Sequence, residues 1–425
     1  MNFVILAILL SIIASILFGS LIKYHFDGGR KYSNIRNFCI FLASIPMSLN
    51  KMIRSKSLDS SKPAILSKHK SKKRFEQFIP NLREGLLILP RYDHVKSKPV
   101  VEVIDLKNFK IIHTYAHDIS RVSKNKSLKL EYYHPLVMDD GSLISEGTNT
   151  PLFKINLHSN LEWINDEVVF HHSKALDHEN NILIPGRQKP YSKYVKKYQH
   201  PINDFRDDAI FKINSDGKIL YKKSVIEILI ENKIGDMINK LKKTVSDPIH
   251  LNCIEPAFSD TKYWKKGDLF LSLKHHSAII LYRPSTNKVI NYITGPFAQQ
   301  HDVDIISDKE ISFFNNNNFI IDNETSEVLI YNFETKEFKK IFNEQLKQEN
   351  FKTSNGGVSQ ILKDGSLMVE EQKFGRIILF NNKGDKEWEF VNKDENGDIG
   401  QISWSRIIES PTFIKKYKSL IRKKN

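Results

Sequence analysis

The stretch DGSLISEGTNTPLFKINLHSNLEWI, residues 140–164, opens on a turn, runs into a short apolar strand, and then folds back through a hairpin-like pair of strands. The same pattern returns at DGSLMVEEQKFGRIILFNNKGDKEWEF, residues 364–390. A repeat period decides the fold class before any single strand does. Six short strands follow turn-forming residues: EGLLILP from Glu84, DGSLISEG from Asp140, ENNILIPG from Glu179, KGDLFLSL from Lys266, DKEISFF from Asp308 and DGSLMVEE from Asp364. Each is followed by two more strands, and the connecting turns are rich in Asn, Asp, Gly and Ser, as short β-connections require. Six repeats of roughly 50 residues predict an all-β, six-bladed β-propeller rather than a sandwich. The blades fall at about 75–131, 132–168, 169–245, 246–296, 297–355 and 356–410. The third is long because it carries the insertion RQKPYSKYVKKYQHPINDF and a predicted helix, SVIEILIENKIGDMINKLKKT.

Outward from the repeats lie two terminal regions. Residues 2–24, NFVILAILLSIIASILFGSLIKY, are nearly all apolar, and about 20 such residues cross a bilayer as a helix. No basic residue precedes this long apolar core, which favours a membrane anchor over a cleaved signal. The second apolar piece, FCIFLASIPMSL (38–49), is short and carries Pro46, so it reads as an interfacial helix rather than a second span. The organisation is thus an anchor (1–24), a basic juxtamembrane linker (25–74), the propeller (75–410) and a basic C-terminal tail (411–425). The net charge of +15 invites a nucleic-acid partner. Its distribution argues otherwise: the dense runs KMIRSKSLDSSKPAILSKHKSKKR and KKYKSLIRKK suit an anionic lipid surface or solvent. The two cysteines, Cys39 and Cys253, build no disulfide framework and no CxxC metal site.

In a propeller, the segment upstream of each marker strand is expected to be the inner strand, facing the central channel. Histidines collect there: His134 in YYHPLVMDDG, His171 and His172 in VVFHHSKALD, His250 in DPIHLNCIEPAF, and His301 in QQHDVDIISD, behind Gln300. The turn SLKHHSAII adds Lys274, His275 and His276 at the same rim. A single strand histidine is more often a packing residue than a catalyst, and alternation sends only one of His275 and His276 inward. Repetition at similar places in four blades tips the reading toward a channel site.

Several imidazoles with one cation and few carboxylates suit the transfer of an anionic group. A neutral imidazole serves as nucleophile, a second protonates the leaving oxygen, and cationic or amide donors hold charge on the non-bridging oxygens. Zinc hydrolysis would want an HExxH or cysteine-rich spacing, and a serine triad a GxSxG elbow; the chain has neither.

The order HH (His171, His172), DPIHLN (247–252), GDLFLSLKHHSAI (267–279), GPFAQQHDV (295–303), FFNNNN (313–318) and GGVSQ with a later GRI resembles the bacterial arylsulfate sulfotransferase family over about residues 130–408. The resemblance implies a six-bladed periplasmic propeller that moves a sulfuryl group between phenols through a sulfated histidine, with no cofactor or metal. On it, His301 takes the nucleophile's place, His250 and Asn252 match the family's H-x-N pair, and His172, or else His171, matches the upstream histidine. Lys274 stands where the family has arginine, keeping the charge but losing the planar fork. His171, His275, His134 and Gln300 are expected to bind substrate, and the partners are phenols, aryl sulfates and the membrane. The competing reading is an inactive membrane-tethered propeller that binds a glycan, a sulfated ligand or a protein. Orientation is pulled two ways: Lys23, Arg30, Lys31 and Arg36 after the anchor favour a cytoplasmic flank, whereas the resemblance favours a propeller on the periplasmic side.

Overall fold

The computed structural model describes residues 3–26, 68–69, 72–80, 83–93, 95–119, 122, 131–147, 150–197, 205–234, 246–317 and 325–424. The segment 38–49, most of the basic run 51–74, Cys39 and the second half of the blade-three helix lie outside them. The chain divides into two units, residues 1–62 and 63–425. In the first, Phe3–Phe26 is one α-helix, and its 22 residues Phe3–Tyr24 are long and apolar enough to cross a membrane. A helix of that length and place suits an anchor or a signal sequence equally.

The second unit is a six-bladed β-propeller of antiparallel sheets. The six marker strands are the second strand of each blade: Leu86–Asp93, Leu143–Glu146, Ile182–Arg187, Leu269–Leu273, Glu310–Asn315 and Leu367–Glu371. Most open on an apolar run, as in LLILP, ILIP, LFL and LMV, because both faces are buried between neighbouring blades. Strand alternation divides their side chains. Leu86 and Ile88 pack against blade two while Leu87 and Leu89 pack against blade six. Likewise Phe313 joins the core shared with blade four and Phe314 the core shared with blade six. Each of the six blade junctions therefore has its own apolar core.

The ring closes differently from the expected upstream rule. The segment just before EGLLILP is not blade one's inner strand. Phe75–Gln77 instead adds a fifth, outer strand to blade six, with Phe75 opposite Phe390. The inner strand of blade one is Arg406–Ile408, from the C-terminal end, with Ile408 opposite Leu86. Both ends of the domain thus cross one seam, which pairs backbone groups that an open ring would leave as free edges. Beyond the seam, the stretch read as a basic tail is helical over Pro411–Lys424. Tyr417 and Ile421 join the core between blades one and two, and the Tyr417 hydroxyl lies 2.7 Å from that of Tyr115. In blade three, Ser224 caps the helix Val225–Glu231 by accepting a hydrogen bond from the Glu227 N–H.

Candidate active site

The chain enters every inner strand through a left-handed residue: Trp404, His134, His172, His250, Asp302 and Gly357 have φ between 45° and 105°. For side chains other than glycine this backbone costs free energy, and it persists only where the surroundings hold it. One holder is Lys174, whose buried ammonium pairs with Glu146 and donates to the carbonyls of Tyr133 at 3.0 Å and His134 at 3.1 Å. At Gly357 a side chain is excluded outright, since a Cβ would lie 2.3 Å from the Phe314 ring. These entries converge on a pocket of about 210 Å³ at one end of the channel, lined by His134, His172, His250, Lys274 and His301, with Tyr133 and Trp404 among its walls.

His301 begins the strand His301–Ile305 and is 2% exposed. Its Nδ1 faces two oxygens, Asn316 Oδ1 at 2.5 Å and the Gln299 carbonyl at 3.1 Å. The Asn316 amide cannot be turned round, because its Nδ2 donates to the carbonyls of Thr353 at 2.8 Å and Gly356 at 2.7 Å. Nδ1 must therefore carry the proton, and the lone pair resides on Nε2, the nitrogen left for the pocket. Burial, then the positive charge of Lys274, hold the His301 pKa well below the ordinary histidine value, so the ring is neutral near pH 7.

His172 and His250 meet Nε2 to Nε2 at 3.1 Å, with ring centroids 4.9 Å apart. His250 Nδ1 lies 2.7 Å from Asp247 Oδ2, which also accepts from Arg206 at 2.7 Å. Burial lowers the pKa of both imidazoles, His172 much further, with His250 and His171 adding to the effect on it. Burial also lowers that of Lys274, whose Nζ donates to Asn355 Oδ1 at 3.1 Å. Asp247, His250 and His275 bring ligand-type atoms within 4.8 Å of one another. The Nδ1 atoms of both rings are already bound to Asp247 oxygens, and Arg206 supplies a cation there.

His134 is buried in a stack between Tyr133, 4.1 Å away by ring centroids, and Trp404, 3.9 Å away. Both of its ring nitrogens are buried without a hydrogen-bond partner. Four other predicted residues stand behind the wall. Asn252 Nδ2 donates to the Gln300 carbonyl at 2.8 Å, and the Gln300 amide donates to Ser272 and the Ala278 carbonyl, so this pair braces the backbone that carries His301. His171 lies behind His172 with its Nδ1 3.1 Å from the His172 Nδ1, and His275 packs at a tilt against His250 with its Nδ1 on the Asp247 carbonyl. Asp302 points to the other side of the strand, where its carboxylate accepts from the Ser359 N–H at 2.9 Å. Sequence reasoning missed Asn316, Asp247, Trp404 and Asp208, whose Oδ1 lies 3.2 Å from His171 Nε2. Asn316 and Asp247 sit inside the quoted motifs FFNNNN and DPIHLN, but nothing in their spacing marks them.

The chain is similar to solved structures at low identity. One is a protein of unknown function from Bacteroides caccae, at 11% identity and TM-score 0.49, covering 77% of this chain and 100% of that one. Another is a catalytically inactive virginiamycin B lyase from Staphylococcus aureus, at 12% identity and TM-score 0.41, covering 74% and 87%. Neither likeness bears on the chemistry. No curated protein matches the sequence. The family model described as arylsulfotransferase (ASST) matches residues 142–393. That range runs from blade two into blade six and contains His172, His250, Lys274, His301 and Asn316, but not His134 or the Tyr133 and Trp404 that stack on it. With more than half of its length matched, the chain belongs to the arylsulfotransferase family.

Proposed function

We propose that this protein is a membrane-anchored sulfotransferase that moves a sulfuryl group from an aryl sulfate to a phenol through a sulfated His301, with the propeller on the periplasmic side. The observation that carries the reading is the Nδ1–H of His301, held by Asn316 and Gln299, which leaves an unprotonated Nε2 in a pocket beside Lys274. In the first half-reaction the Nε2 lone pair forms a bond to sulfur and the S–O(aryl) bond breaks, its electron pair leaving on the phenolic oxygen. That oxygen takes a proton from the His172–His250 pair, while Lys274 offsets charge on the sulfuryl oxygens. A second phenol then returns a proton to the pair as its oxygen takes the group from His301. Sulfuryl transfer resembles phosphoryl transfer in its loose transition state, so fixed charges and donors supply most of the catalysis. Convergence of four imidazoles and an ammonium on one small pocket favours this over a purely binding role.

The test is to incubate the protein with nitrophenyl sulfate and no acceptor, quench at mildly alkaline pH, and measure the mass of the peptide containing His301. A sulfuryl increment is expected on that peptide, absent in His301→Asn. An adduct that persists in His301→Asn moves the nucleophile elsewhere. A reporter fused at residue 75 tests the side of the membrane.

A further inference from the structure

Four consecutive contacts run through the site: Asp208 Oδ1 to His171 Nε2 at 3.2 Å, His171 Nδ1 to His172 Nδ1 at 3.1 Å, His172 Nε2 to His250 Nε2 at 3.1 Å, and His250 Nδ1 to Asp247 Oδ2 at 2.7 Å. Every atom in the row is a carboxylate oxygen or an imidazole nitrogen, so each contact needs a proton between its two partners. Four contacts require four protons, and three neutral imidazoles bring three. We infer that the row from Asp208 to Asp247 stores one proton beyond the neutral state of its imidazoles, and that this is the proton the departing phenolate takes and the incoming phenol gives back. The inference rests on the sulfuryl-transfer reading for its use of the proton, but not for the proton's presence.

The location of the extra proton follows from the two ends. At the Asp247 end the carboxyl, although burial works against it, is held far below its usual range by the His250 N–H and by Arg206, so it stays ionised. His250 then bears its hydrogen on Nδ1 and accepts at Nε2; His172 bears its hydrogen on Nε2 and accepts at Nδ1; His171 must donate from both nitrogens. The imidazolium is therefore His171, against Asp208, whose other oxygen accepts from the Leu251 N–H at 2.8 Å. The remaining charged or titratable groups facing the row are Lys274, His275 and His301 around His250, and His134, Tyr133 and Lys174 around His172. Arg187 lies opposite Asp208 in the strand ladder.

The proton balance closes over one cycle. As the S–O(aryl) bond breaks, the phenolate takes the His172 Nε2 proton, the His171 Nδ1 proton passes to His172 Nδ1, and His171 is left neutral with its Nε2–H on Asp208. In the second half-reaction the acceptor's hydroxyl proton goes to His172 Nε2 and the row returns to four protons. His171 acts through His172 and does not touch substrate.

The test uses the whole detergent-solubilised chain. ¹⁵N-histidine correlation spectra at pH 7.5 are expected to show one imidazolium in the site, lost in His171→Asn and in Asp208→Asn, the second variant keeping an acceptor for Leu251. Turnover of phenyl sulfate, whose leaving group must be protonated, is expected to fall by about 10² in His171→Asn, the scale of general-acid catalysis. Nitrophenyl sulfate, whose leaving group is stable as an anion, is expected to fall less than about tenfold. Equal losses for the two donors, or a wild-type spectrum with only neutral site histidines, would overturn the inference. An imidazolium in a protein that turns over no aryl sulfate would keep the proton store and remove the sulfotransferase reading.

Discussion

Replacing His134 by phenylalanine separates a buried imidazole's charge from its packing. The ring lies between Tyr133 and Trp404, and a phenyl group keeps that stack. Burial, then the Lys174 charge, hold the His134 pKa far below its ordinary value of 6.5. Between that depressed pKa and 6.5 the unfolded chain binds a proton that the folded chain refuses. The stability tied to this group is thus fully present above pH 6.5 and is lost as pH falls below it. From pH 7.5 to 5.5 one such group removes about 1.4 kcal/mol. For a unit spanning residues 63–425, the unfolding entropy is of the order of 0.8 kcal/mol/K, so the loss amounts to about 2 °C in Tm. Glu146, which burial pushes up to about 7, and Asp304, pushed up to about 6, titrate in the opposite sense but in the same way in both proteins. The quantity to measure is therefore the difference in the pH dependence of Tm, by calorimetry at pH 7.5 and 5.5. His134→Phe should lose about 2 °C less than the wild type on acidification. Equal acid shifts for the two proteins would refute a neutral, buried His134.

Two further outcomes follow from the same geometry. Lys274→Ala should lower sulfuryl transfer by about 10², the scale of one lost charge-stabilising donor, while Lys274→Arg keeps activity; steady-state rates with nitrophenyl sulfate decide it, and like behaviour of the two variants would place the ammonium outside the reaction. Asn316→Ala removes the nearer of the two acceptors that keep the His301 proton on Nδ1, leaving only the Gln299 carbonyl, and strips the buried Thr353 and Gly356 carbonyls of a donor. It should lower Tm and reduce adduct formation by roughly fivefold to tenfold, the worth of one hydrogen bond, and ¹⁵N spectra should show His301 populating its other tautomer; an unchanged tautomer would refute the role.

What the sequence by itself determined was the number of blades, the place of each marker strand, and the gathering of His134, His172, His250, Lys274 and His301. Those follow from local pattern, because a strand buried on both faces must read as an apolar run and a turn must use turn residues. How the ring closes was not local. Phe75–Gln77 and Arg406–Ile408 are too short to carry a pattern, and their partners lie more than 300 residues away in the chain. The functional division of the polar residues was likewise tertiary. Asn252 and Gln300 sit in the quoted motifs as plainly as His301, yet a bulge between His301 and Asp304 and the left-handed turn at His250 decide which side chains enter the pocket and which brace it. Tautomers were the furthest from view. The proton of His301 is placed by Asn316, and that of His172 by a row reaching from Asp208 to Asp247, because a hydrogen bond needs both partners in position and blades three, four and five supply them from segments far apart in sequence.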